Sequence, residues 1–169
     1  MKLQTPLHTT PALLLMLAVG CQSQSGVNDT ANTDTNESLS GRSSEAAITS
    51  AQATGQPGSY TFSVTIESSD TGCEQYADWW EVLSPDGKLI YRRILAHSHV
   101  DEQPFTRSGG PVTVAIDDEV IVRAHMNNSG YGEQVFRGTV SQGFNLETLN
   151  REFASELALT EPLPTDCAF

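Results

Sequence analysis

From residue 60 onward the chain repeatedly alternates apolar and polar side chains, and that period restricts it to strands. Tyr60, Phe62, Val64 and Ile66 are interleaved with Thr61, Ser63 and Thr65, so one face of an extended segment is apolar and the other polar. A second run, Tyr76 to Leu83, leads into Ser84-Pro85-Asp86-Gly87. Proline followed by Asp-Gly is turn chemistry, and Lys88 to Val100 then resumes the strand pattern, so the two runs predict a hairpin. On the second arm Ile90, Ile94, Ala96 and Val100 are expected to face a core, with Tyr91, Arg93, His97 and His99 opposite.

The same pattern continues beyond Gly109-Gly110-Pro111, which together with Gln103-Pro104 reads as a corner where glycines supply positive φ. Val112 to Ile116 is closed by Asp117-Asp118. In Val120 to Met126 the residues Val120, Val122, Ala124 and Met126 alternate with Ile121, Arg123 and His125. Asn127-Asn128-Ser129-Gly130 marks another turn, and Gln134 to Val140 a weaker strand. Short strands at regular spacing with turns between them predict an all-β, immunoglobulin-like antiparallel sandwich. No ten-residue helical run interrupts them, which argues against a parallel α/β sheet. Only near the end does the period change. Leu146, Leu149, Phe153 and Leu157 are three and four apart, predicting one short amphipathic helix that covers an edge or end of the sandwich.

Residues 22–58 have a different composition: Ser, Thr, Asn, Asp, Gly, Gln and Ala, with almost no large apolar side chains. Such a segment cannot bury enough surface to offset the entropy of ordering, so a disordered tether is expected. The predicted organisation is therefore residues 1–20 as a signal peptide, 21–57 as tether and 58–169 as the folded domain. A formal net charge of -12 repels phosphate backbones, so nucleic acid is not an expected partner.

The first 21 residues carry an address. Met1-Lys2 is a basic start, Ala12 to Val19 is an apolar core too short to span a bilayer, and Gly20-Cys21 follows. Leu17-Ala18-Val19-Gly20-Cys21 resembles the lipobox of bacterial lipoproteins. The resemblance implies that the Cys21 thiol is acylated, that the signal is cleaved before it, and that the mature protein is held to a membrane of the cell envelope by lipid. Gln22 stands where an aspartate would mark inner-membrane retention, so the outer membrane is the expected location. With Cys21 lipidated, two of the three cysteines remain. Export exposes Cys73 and Cys167 to an oxidising compartment with no third thiol to compete, which predicts a Cys73–Cys167 disulfide.

Candidate chemistry gathers in 97–110. His97, His99 and Asp101 are two apart and would share one strand face. With His125 on a neighbouring strand, and Glu102 or Met126 as further ligands, they form a candidate site for Zn or Cu. Trp79, Trp80, Tyr91, Phe105 and Tyr131, with Arg107 beside them, form a candidate binding surface for protein, peptide or carbohydrate. The arginines Arg92, Arg93, Arg107 and Arg123 are also expected to pair with the excess carboxylates. His97, Asp101 and Ser108 contain the residue types of a catalytic triad, but no motif for a nucleophile elbow, a zinc-protease helix or a phosphate loop accompanies them. A non-enzymatic binding or accessory module is the expected function, with no cofactor unless the histidines hold a metal.

Overall fold

A computed structural model describes residues 44–168. The signal peptide, Cys21 and the tether up to residue 43 lie outside the described residues. The strands, in chain order, are β1 (Ala47–Gln56), β2 (Ser59–Glu67), β3 (Ala77–Leu83), β4 (Leu89–Ile94), β5 (Phe105–Val112), β6 (Val120–Met126), β7 (Gly130–Tyr131), β8 (Gln134–Thr139) and β9 (Gly143–Thr148). They form two antiparallel sheets packed as a sandwich, one ordered β1-β2-β5 and the other β4-β3-β6-β8-β9, with the short β7 also paired to β6.

The expected alternation sets the inner faces of the strands. Phe62, Val64 and Ile66 of β2 and Val120, Val122, Ala124 and Met126 of β6 all enter the core between the sheets, together with Trp80 and Val82 of β3. The turn at Ser84–Lys88 closes the β3–β4 hairpin: Gly87 N–H donates to Ser84 O (2.9 Å), and Gly87 has φ 83°. Gly109 lies within β5 rather than at a corner, and its role is space. A Cβ there would stand 2.5 Å from Tyr91 Oη and 3.0 Å from Trp80 of the opposite sheet.

Three boundaries differ from the sequence reading. The domain begins before residue 58, because Ala47–Gln56 of the expected tether forms β1 and pairs along the whole of β2. Ala46, Ile48 and Ala51 are buried core residues, while a register shift between Ile48 and Ser50 breaks the alternation that would have revealed the strand. The strand expected to run to Val100 stops at Ile94. Ala96 and Val100 are consequently exposed, and His99, assigned to the polar face, is buried.

The third difference lies in the C-terminal region. Leu146 belongs to β9, which pairs with β8, and the short helix is a 3-10 turn at Ser155–Leu159. Leu149, Phe153 and Leu157 nevertheless pack together as an apolar patch, against Leu83 and Ile121 on the outer face of the larger sheet. The two central strands β3 and β6 are thus buried on both sides along their full length.

Candidate functional site

Covering the outer face encloses charge. Glu81 of β3, Arg92 of β4 and Arg123 of β6 stand side by side there, and each is at most 6% exposed. Arg92 Nε and Nη2 donate to Glu81 Oε2 (2.8 and 2.6 Å), and Arg123 Nε donates to Oε1 (2.8 Å). The remaining guanidinium donors reach carbonyls of the covering segment: Arg92 to Leu157, Thr160 and Pro162, Arg123 to Phe153 and Ala154. Two arginines therefore hold the C-terminal segment to the sheet through main-chain acceptors. Cys73 and Cys167 are disulfide-bonded, 94 residues apart, and Ala168 N–H donates to Ala96 O at 2.7 Å, so the same segment is fixed again at its end.

The aromatic side chains expected to form a binding surface are structural. Trp79 and Trp80 point to opposite faces, as adjacent strand residues must, yet both are buried. Trp80 fills the core against Tyr91. Trp79 is stacked on His125 at 3.8 Å and 8°, with Tyr131 edge-on to it and the Arg92 guanidinium 4.5 Å from its ring centre. Tyr131 is buried beneath Arg123, and Phe105 beneath His99. Among the described residues no exposed aromatic platform results, because the second face of β3 and β6 is covered rather than open.

The histidines separate into two places. His125 Nδ1 is hydrogen-bonded to Asp78 Oδ1 at 2.7 Å, beside a cleft of about 140 Å³ lined also by Ser129, Tyr131, Arg151 and Ser155. Burial raises the Asp78 pKa, against the opposing hydrogen bond and charge of His125. Burial, followed by the negative charge of Glu81, pushes Tyr131 up to about 12. An Asp–His pair orients an imidazole for proton transfer. Among the described residues, though, no hydroxyl is hydrogen-bonded to His125, so the pair lacks a positioned nucleophile.

His97 and His99 lie on the loop from β4 to β5, with ring centres 4.5 Å apart. Asp101 is exposed on the following turn. Among the described residues no three His, Cys, Asp or Glu side chains gather as a metal-ligand set, and so His97, His99, Asp101 and His125 are not brought together as the sequence suggested. The physical reason is the early end of β4: once the strand stops at Ile94, residues 97, 99 and 101 no longer share a pleated face.

What organises this loop is a residue that sequence reasoning passed over. Asp70 is buried, and its Oδ1 accepts from Ser68 Oγ (2.7 Å) and Ala77 N–H (3.0 Å) while Oδ2 accepts from His99 N–H (2.7 Å). Gln103 completes the frame, donating to Ser68 Oγ and His99 O (both 3.1 Å) and accepting from Ser68 N–H (2.9 Å). Ser68-Ser69-Asp70 reads locally as turn residues, and nothing in that local composition signals a buried carboxylate.

This frame fixes the His99 backbone and sets its ring flat on Phe105, 3.7 Å between ring centres and 8° between planes. The residue is 4% exposed, and among the described residues neither ring nitrogen has a hydrogen-bond partner. Its nearest carboxylate, Asp70 Oδ2, stands 3.9 Å from Nδ1, beyond hydrogen-bond reach. Burial first, then Arg107 and His97, hold the His99 pKa down to about 4, with Asp70 and Glu102 pulling weakly the other way. The imidazole is therefore neutral at pH 7, carrying one N–H donor and one acceptor.

His99 opens on a groove of about 100 Å³ between the ends of the two edge strands β4 and β5, lined by Arg93, Ile94, Leu95, Ala96, His97 and Arg107. Arg107 lies over Phe105, 5.4 Å from its ring centre, and donates to Glu102 Oε2 at 2.7 Å. In a protein of net charge -12 this is a local concentration of cationic and donor groups.

Fold and groove together define a disulfide-closed β-sandwich with a small groove at one edge, apolar-walled and flanked by two arginines. A protein of Halomicrobium mukohataei described as "Putative lipoprotein" is 42% identical over 76 residues, which are 43% of this chain and 36% of that protein. The chain thus spans about a third of the length of the curated relative it matches. No family model matches the chain, and no solved structure matches it.

Proposed function

We propose that the protein is a membrane-anchored module of the cell envelope, lipidated at Cys21, which presents its β-sandwich to the extracytoplasmic space and acts by binding rather than catalysis. The observation that carries this reading is the pairing of Cys73 with Cys167. It accounts for both cysteines of the domain in a bond that persists in oxidising compartments, and it leaves Cys21 as the one thiol available beside a lipobox-like sequence. The description of the relative as a lipoprotein supports the same address. Gln22 favours the outer membrane over the inner one. The absence of a positioned nucleophile beside His125 among the described residues favours binding over hydrolysis.

Mass spectrometry of the protein purified from its native membranes tests the anchor. Cleavage before Cys21 with an added acylated glyceryl group is expected, and Cys21→Ser should move the protein to the soluble fraction. An unmodified residue 21 in membrane-bound protein would overturn the proposal. Density-gradient separation of the two membranes tests the location within the envelope.

A further inference from the structure

We propose that the groove at the β4–β5 edge is a binding site for a carboxylate group, held by Arg93, Arg107 and the His99 ring. Three features converge. The buried His99 imidazole lines the groove with both nitrogens unpartnered among the described residues, and a polar group buried without a partner is costly unless something satisfies it. Arg93 is exposed and has no ion pair among the described residues. Arg107 already holds one carboxylate, that of Glu102, so the chain itself displays the pairing that a ligand would reproduce.

The charges around the groove favour an anion over a metal cation. Two guanidiniums line it, while the carboxylates nearest His99 are otherwise engaged: Asp70 by main-chain N–H groups and Glu102 by Arg107. Planar carboxylates match the fork of an arginine, and the apolar walls of Ile94, Leu95 and Ala96 suit a short carbon chain beside the charged end. A small free acid and the C-terminus of a peptide offer the same chemistry. Glu102 is placed to compete with either for Arg107.

Acetate and N-acetyl-alanyl-alanine, titrated separately into the protein at constant ionic strength, distinguish the sources, with the His99 ring signals followed by NMR. Saturable shifts are expected, together with a rise of the His99 pKa by about one unit or more as an anion settles beside it. Arg93→Gln, an exposed change that leaves the core intact, should weaken binding by about tenfold, as should Arg107→Gln, whereas Glu102→Gln should tighten it severalfold. Tighter binding of the peptide identifies a chain terminus as the ligand, and acetate binding at least as well identifies a free acid. Shifts reproduced by chloride, or unchanged in both arginine variants, would overturn the site.

Discussion

Arg92 places two of its guanidinium nitrogens on a single oxygen of Glu81, at 2.8 and 2.6 Å, with both side chains shut off from solvent. Arg123 occupies the other oxygen, so one carboxylate balances two buried cations that in turn hold the C-terminal segment. Removing its charge leaves both cations uncompensated in a low-dielectric layer. Glu81→Gln should therefore cost about 3–5 kcal/mol, read as a fall in the denaturant midpoint. A loss under about 1 kcal/mol would show that this cluster does not hold the segment in place.

The disulfide secures the far end of that segment. Cross-linking residues 94 apart restricts the unfolded chain, and for a loop of this size the effect is about 4–5 kcal/mol, an upper figure in the entropic account. Reduction, or a Cys73→Ser/Cys167→Ser double variant, should lower the unfolding free energy by up to that amount. Equal denaturation curves with and without reductant would contradict it.

The start of the domain is testable by truncation. Ala46, Ile48 and Ala51 contribute to the core, and β1 supplies one of the three strands of its sheet. A chain begun at residue 44 should unfold in one cooperative transition, while one begun at residue 58 should lack it and expose the apolar face of β2. Circular dichroism during heating, with dye binding to exposed apolar surface, separates the outcomes.

His99 also gives stability a pH dependence of defined sign. Its pKa is about 4 in the folded protein against 6.5 as the ordinary value, so between these limits the unfolded chain binds more protons. The His99 contribution is complete above pH 6.5, declines as pH falls, and is exhausted below about pH 4. A His99→Gln variant should show a shallower loss of stability across that window than the parent. Parallel curves would mean that His99 titrates normally in the folded state.

The histidine cluster shows how a local reading goes astray. His97, His99 and Asp101 have the spacing of one strand face, but spacing carries meaning only while the strand lasts, and β4 stops at Ile94. The frame that sets the loop, Asp70 with Ser68 and Gln103, joins residues as many as 35 apart. The Trp79–Trp80 pair was half legible. Opposite directions follow from the pleat, whereas the burial of Trp79 depends on Arg92, His125 and Tyr131, supplied by other strands.

By itself the sequence determined the strand-rich sandwich, the β3–β4 hairpin, the inner face of β6 and the pairing of Cys73 with Cys167. Alternation and turn chemistry act between near neighbours, and the two cysteines of the folded domain leave one pairing within it. The tertiary structure alone decided that residues 47–56 are a strand despite a weakly apolar composition, that 143–148 pairs with β8 rather than coiling, and that Glu81, Arg92 and Arg123 are enclosed. Each of these depends on what packs against the second face of a segment. That energy comes from surface and charge supplied by distant parts of the chain.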